Sequence, residues 1–163
     1  MALKALRIHN DSSIEHFMTS TAERGGIVSF SYTGQASSGG AIDQAESTVA
    51  YVANPSGVKP RGVLMCDVVN NDLTRQHANW HKEEVQVNGK VTVWPQCTVV
   101  TNRIMSGHTP LPGQRAFVGH SGLLGNADVA TDHTDLTGAT RVVGRWVTRK
   151  DEDGYAKVQV NLP

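Results

Sequence analysis

The sequence is dominated by short runs in which apolar and polar residues alternate, and turns with Gly, Pro and Asn separate most of these runs. Alternation with a period of two is typical of strands, and turn residues at this spacing separate strands rather than helices. We therefore predict an all-β fold, a compact sandwich or barrel of short antiparallel strands. The predicted strands are 26–32, 47–53, 62–69, 84–87, 91–94, 98–104, 115–118, 141–148 and 155–162.

Two turn sequences predict hairpins. Asn88-Gly89 lies between two alternating runs, and this pair favours a type I′ turn because both central residues need a positive φ. Asp153-Gly154 joins the last two predicted strands. Alternate residues of the final strand are expected to face the core: Ala156, Val158, Val160 and Leu162.

The N-terminal region has a different pattern. A short helix is predicted over 12–22, because Ser12 or Ser13 could cap it and three apolar residues share one face. A Gly/Ser-rich joint follows at 34–40. We therefore divide the chain into an N-terminal arm, 1–44, with one helix and one strand, and a β core, 45–163. The apolar residues of the predicted helix face are Ile14, Phe17 and Met18.

The charge balance limits the class of partner. Lys+Arg and Asp+Glu both number 15, so the formal net charge is zero. A protein that wraps nucleic acid usually has a basic excess, and we expect no direct nucleic-acid binding. No apolar run approaches the length of a membrane span, and the N-terminus lacks the apolar segment of a signal peptide. We expect synthesis in a cytoplasm and no membrane partner.

The two cysteines, Cys66 and Cys97, lie in apolar runs without a second Cys or His at ligand spacing. They form neither a zinc motif nor a disulfide framework. Burial as small apolar residues is the favoured interpretation, and an intermolecular disulfide in an oligomer is the alternative.

Two motifs resemble known chemical sites. His77 and His81 are four apart and would share a helix face, but Ala78 stands where the zinc-protease signature has Glu. Segment 119–122, Gly-His-Ser-Gly, lacks the last Gly of a nucleophile elbow, because Leu123 follows it. Both patterns favour turns, and we predict no catalytic residue.

Two acidic segments also favour turns over cation sites. Asp151-Glu-Asp-Gly154 begins like a calcium loop but lacks its later acidic ligands. Asp132-His-Thr-Asp135 has no partner cluster. We therefore predict no metal and no cofactor.

Basic residues recur at strand spacing near the C-terminus. Arg141, Arg145 and Arg149 would share one strand face. An acidic patch on a protein partner is the favoured ligand, since the whole chain is neutral, and nucleic acid is the alternative.

Four stretches of the sequence carry a resemblance to a known family: Pro60–Val85 (PRGVLMCDVVNNDLTRQHANWHKEEV), Gly89–Val93, Thr98–Asn102 and Gly144–Pro163. With these stretches, much of the chain from about residue 45 onward resembles the head decoration (cement) proteins of tailed bacteriophages. This resemblance implies a β-rich virion protein that performs no chemistry. It implies binding to the major capsid protein on the outside of the expanded capsid, at junctions between capsomers, and assembly into a homotrimer, with a homodimer as the alternative.

We expect capsid or subunit contacts from two regions, the arm and segment 72–80, and from the basic strand face. A glycan-binding β module that touches the host surface is the alternative function, with Trp80 and segment 132–135 as its only hints. A hydrolase that uses His77 and His81 is a third candidate function, but the general base expected next to His77 is missing. The predicted contact residues are Ile14, Phe17, Met18, Arg75, His77, Trp80, Arg141 and Arg145.

Overall fold

The computed structural model describes residues 3–5, 11–31, 47–53, 59–74, 80–126 and 142–163. Nearly all regular structure in these ranges is β, which confirms the predicted fold class. A single 3₁₀ turn in the described ranges covers His120–Gly122. The strands are β1 Leu3–Ala5, β2 Asp11–Met18, β3 Ile27–Ser31, β4 Ser47–Ala50, β5 Pro60–Leu64, β6 Asp67–Val69, β7 Glu84–Gln86, β8 Lys90–Thr101, β9 Arg115–Val118, β10 Leu124–Asn126, β11 Val142–Trp146 and β12 Ala156–Asn161.

Five strands close into a barrel in the order β8-β2-β4-β3-β5. The ring closes where β5 pairs with β8, through Val63 opposite Trp94 and Leu64 opposite Val93. Strands β2 and β4 are parallel, whereas the other neighbours in the ring are antiparallel. A closed ring leaves no free edge among its own strands.

Strand β8 belongs to the barrel and to a second sheet, which here is called the outer sheet. Its first half pairs with β2 and β5, and its second half pairs with β12 and β1. The outer sheet then continues in the order β8-β12-β11-β9-β10. Pro95 lies near this change of partners, and its carbonyl accepts a hydrogen bond from the Leu162 N–H at 3.0 Å. A proline is tolerated there because no ladder bond needs its missing N–H.

The apolar residues form two main cores, one on each side of the barrel wall. The barrel core contains Val28 and Leu64, whereas the second core contains their chain neighbours Ile27 and Val63. Successive residues of a strand point to opposite faces, so β3 and β5 are buried on both sides. The second core lies against the outer sheet and includes Trp146, whose indole N–H donates to the Gly125 carbonyl at 3.1 Å.

The helix predicted over 12–22 is wrong, because residues Asp11–Met18 form strand β2. The strand pairs with β8 on one side and with β4 on the other. These long-range ladders override the local helical spacing. The described part of residues 1–44 therefore supplies β2 and β3 to the barrel and β1 to the second half of β8, rather than an element outside the β core.

The two predicted hairpins have different outcomes. The C-terminal one is confirmed: β11 and β12 are antiparallel, Gly154 has a φ of +86°, and the four expected residues of β12 and its end are buried. The Asn88-Gly89 prediction is wrong. A turn forms here, but the bond from the Gly89 N–H to the Gln86 carbonyl at 2.8 Å makes Val87 and Asn88 its central residues. Asn88 has a positive φ of +67° whereas Gly89 does not, and the turn does not join a hairpin. Strand β7 pairs in parallel with β6 in a separate two-stranded sheet, while β8 pairs elsewhere.

Both cysteines are buried and free, which confirms the favoured interpretation. Cys97 packs in the second core and Cys66 in the barrel core. Burial raises the pKa of Cys97 to about 12 and also raises the pKa of Cys66. Each thiol therefore stays protonated and poorly reactive in the folded chain.

Candidate interaction surface

The most exposed large apolar side chain of the described residues is Trp80. It lies in the connection between β6 and β7, residues 70–83, which is here called the Trp80 loop. Trp80 is 79% exposed, and its ring makes an edge contact with His81 at 6.2 Å between centroids. Tryptophan is highly buried on average and is enriched at the centres of protein interfaces. The loop therefore presents an apolar anchor to solvent.

Arg24 connects the start of strand β6 to the end of the Trp80 loop. Its backbone N–H donates to Asp67 Oδ1 at 2.8 Å, and its guanidinium Nη1 donates to Glu83 Oε2 at 2.8 Å. The Asp67 N–H donates in turn to the Glu83 carbonyl at 2.8 Å. The Arg24 side chain is mostly buried, whereas the Glu83 side chain is exposed. These bonds fix the base of the loop.

The first residues of the Trp80 loop are also held by local bonds. Asp72 is buried, and its Oδ1 accepts hydrogen bonds from the backbone N–H and the hydroxyl of Thr74. This is the side-chain turn that Asp forms with the residue two positions on. These bonds hold Asp72 and Thr74 in place before any partner binds, and backbone that is already fixed has less entropy to lose on binding.

An open cleft of about 480 Å³ lies beside the base of the loop. Its lining includes Glu23, Tyr51, Asp67, Glu84 and Arg103. The Tyr51 hydroxyl donates to the Glu23 carbonyl at 2.6 Å and accepts from the Gly26 N–H at 3.1 Å.

Burial raises the pKa of Tyr51 well above its usual value, against smaller lowering effects of the Gly26 N–H and of Arg103. The Arg103 guanidinium lies 5.5 Å from the Tyr51 ring centre and 3.8 Å from the Glu23 carboxylate. The Tyr51 and Arg103 groups of the cleft therefore bond mainly to the protein itself.

The predicted arm contacts lie in strand β2. Met18 is fully buried in the barrel core, so it serves packing rather than a contact surface. Phe17 is half-buried on the opposite face, with Lys90 Nζ 6.0 Å from its ring centre. Ile14 also belongs to β2, but its side chain is outside the described residues. The strand alternation separates the residues that a helix would have grouped.

The remaining predicted contact residues are only partly described. Arg75, His77 and Arg141 lie outside the described ranges, so the His77–His81 pairing does too. Arg145 is exposed on β11 and lies directly opposite Arg115 of β9. Arg115 and Arg24 were not identified from the sequence, because their partners are distant along the chain.

The other motifs form turns in the structure. In segment 119–122, the Ser121 N–H donates to the Val52 carbonyl, and His120 Nδ1 lies 2.8 Å from the Ala53 carbonyl oxygen. In the acidic hairpin, Asp151 Oδ1 accepts from the Tyr155 N–H at 2.6 Å. Segment 132–135 is outside the described residues. Within the ranges that the structure describes, three or more potential metal ligands do not cluster anywhere.

Comparison of the chain with models of known protein families and with curated protein sequences finds no match. Among the described residues, we find no helix long and apolar enough to span a membrane.

Proposed function

We propose that this chain is a structural protein of a tailed bacteriophage that decorates the outside of the mature capsid. In this proposal it binds the major capsid protein at junctions between capsomers and stabilises the shell against the pressure of packaged DNA. It assembles as a homotrimer and is made in the host cytoplasm. The sequence resemblance supports the proposal, and the observation that carries it is the exposed Trp80 within the resembling stretch 60–85.

The Trp80 loop has the physical properties of a binding anchor. Tryptophan buries a large area on contact and loses few rotamers, so one residue of this type often contributes 2 kcal/mol or more to binding, roughly thirtyfold in affinity. The Arg24 bonds to Asp67 and Glu83 hold the base of the loop before any partner is present. Prior ordering reduces the entropy that binding would otherwise cost.

Such a protein would act by mass action. A partner that binds only the mature lattice stabilises it by about 2.7 kcal/mol per site when its free concentration is 100 times the Kd. The effect is repeated at every equivalent site of the shell, and linked copies in an oligomer increase the effective concentration further. This role needs complementary surfaces and no reactive group.

Sedimentation with purified phage heads tests the proposal. Light scattering first establishes whether the free protein is a trimer. The protein is then mixed with undecorated expanded heads and, in parallel, with immature shells. We expect saturable binding to expanded heads only. Trp80→Ala should weaken this binding by about thirtyfold or more, whereas the control Leu111→Ala should not change it. Leu111 is the matched control because it is also an exposed apolar residue, at 41%.

The proposal fails if the wild-type protein does not bind expanded heads, or if it binds immature shells equally well. Equal losses for Trp80→Ala and Leu111→Ala would refute the assignment of the Trp80 loop as the anchor. If light scattering shows that the free protein is a monomer or a dimer, only the proposed trimer is refuted, and the proposed capsid binding is not.

Glycan binding by the same loop is a second candidate function. An exposed indole can stack on a sugar ring, and the exposed side chains of His81 and Glu83 beside it could bond to hydroxyl groups. Binding of host surface polysaccharide by the wild-type protein, lost in Trp80→Ala, with no binding to heads, would favour this function over the first.

A further inference from the structure

A row of polar side chains crosses the outer sheet on its exposed face. Arg115 of β9 lies opposite Arg145 of β11, which lies opposite Gln159 of β12, which lies opposite Thr98 of β8. The alternate residues of the same strands, such as Trp146 and Val158, are buried. The row therefore faces outward as a unit, and here it is called the Arg115–Arg145 row.

Three members of the row, Arg115, Arg145 and Gln159, line a shallow concavity of about 600 Å³. Asn161 and Gln159 add amide groups to its wall, and Gly144 contributes only backbone to its floor. A Cβ at Gly144 would lie 1.9 Å from the Gln159 carbonyl oxygen. The missing side chain lets β11 and β12 approach closely at this point.

The two arginines lack the acidic partners that other arginines of the chain have. Arg24 pairs with Glu83, and Arg103 lies near Glu23. In the described part of the chain, neither Arg115 nor Arg145 forms an ion pair. Like charges directly opposite each other on neighbouring strands are unfavourable. An anion bound between them would remove this repulsion and would accept hydrogen bonds from both guanidinium groups.

We propose that the Arg115–Arg145 row binds the carboxylates of an acidic protein segment. Guanidinium groups match carboxylates through paired, nearly parallel hydrogen bonds, and the neighbouring amides can also donate. Nucleic acid fits less well, because the chain has no net positive charge and the row has two cations rather than an extended basic track. The inference does not depend on the capsid proposal, since its test uses no phage heads.

The test is a titration of the ¹⁵N-labelled full chain with a hexaglutamate peptide, followed by backbone NMR shifts. We expect a weak complex, with a Kd on the order of 1 mM or tighter. The shifted amides should cluster on β9, β11 and β12, and added salt should weaken binding. The neutral hexaglutamine peptide should cause no such shifts.

The double variant Arg115→Gln, Arg145→Gln should lose at least about tenfold in affinity for hexaglutamate. The matched control is Arg149→Gln, Lys150→Gln, which removes two exposed cations outside the row. It should keep most of the affinity. Because both row arginines are exposed, the row variant should fold with an unchanged or higher Tm, and the NMR spectrum verifies this.

Three outcomes would overturn the inference. The first is the absence of shifts up to about 10 mM peptide. The second is an equal loss in the row variant and the control, which would indicate attraction to any positive surface. The third is tighter binding of inorganic phosphate or of a short oligonucleotide at the same row, which would replace the carboxylate by a phosphate ligand.

Discussion

Gly62 is where the barrel is most sensitive to one added methyl group. It lies in β5 beside the closing contact with β8, and a Cβ there would be 2.6 Å from Val93 Cγ1 and 2.7 Å from the Trp94 carbonyl oxygen. Ordinary contacts between carbon atoms are about 3.5 Å or longer. Gly62→Ala must therefore push β5 and β8 apart by several tenths of an ångström.

The cost of Gly62→Ala follows from two effects. Overpacking in a dense core costs about 2 kcal/mol. Separation of the strands also weakens two backbone hydrogen bonds, at about 1 kcal/mol each. One of these is the 3.0 Å bond from the Met65 N–H to the Thr92 carbonyl, and the other is in the Val63–Trp94 pair. We expect the free energy of unfolding to fall by about 4 kcal/mol.

Urea denaturation measures this loss, and hydrogen exchange at the Met65 amide localises it. The control is Gly107→Ala. Gly107 has a φ of +79° and no atom within 4 Å of an added Cβ, so its substitution tests backbone strain without a clash. That control should cost about 1 kcal/mol or slightly more. An equal cost for the two variants, or unchanged protection of the Met65 amide, would refute the tight closure.

Three further changes test the cores and the cleft. Trp146→Phe should lower the free energy of unfolding by about 2–3 kcal/mol in urea denaturation, because it leaves a cavity and removes the donor to the Gly125 carbonyl. Cys97 should react with iodoacetamide at pH 8 only as fast as the chain unfolds, because burial raises its pKa to about 12; mass spectrometry of labelled protein measures this. Tyr51→Phe should cost about 1–3 kcal/mol in the same denaturation assay, because the Gly26 N–H loses its acceptor. Burial raises the pKa of Tyr51, so its contribution to stability is complete below the ordinary value near 10 and is lost at higher pH, and the variant should show a flatter alkaline decline.

Each of these predictions has an outcome that would contradict it. For Trp146→Phe it is a loss no larger than that of Trp80→Phe, an exposed control. For Cys97 it is labelling of the folded protein at the rate of a free thiol. For Tyr51→Phe it is an alkaline decline as steep as that of the wild type.

The strands that could be predicted from the sequence are those whose pattern has one interpretation. In the last strand, apolar and polar residues alternate strictly, and Val158 and Val160 are buried as predicted. The prediction for residues 11–18 was wrong because their apolar spacing fits a helix as well as a strand. The strands that pair with β2, namely β4 and β8, are distant in sequence. The sequence predicts two strands in place of β8, because a proline usually ends a strand. In the structure, Pro95 lies inside β8, where the strand changes partners.

Some residues of the candidate surface could also be predicted from the sequence, and others could not. Trp80 could be selected from the sequence because an aromatic among charged residues stands out in segment 72–80. Arg24 could not, because the residues it bonds lie 43 and 59 positions away. Arg115 was missed for a related reason. Its position opposite Arg145 depends on the register of β9 and β11, which includes an irregularity between Val142 and Gly144. Local patterns do not encode such registers.

The shared strand β8 also has a mechanical consequence. Its twelve residues extend over roughly 40 Å and carry ladders from four other strands. A force along β8 that pulls the barrel away from the outer sheet shears these ladders. In shear all the hydrogen bonds of a ladder carry the load at once, so they must break together rather than one after another. Strand β8 thus connects the barrel and the outer sheet mechanically, as the capsid role proposed above would require.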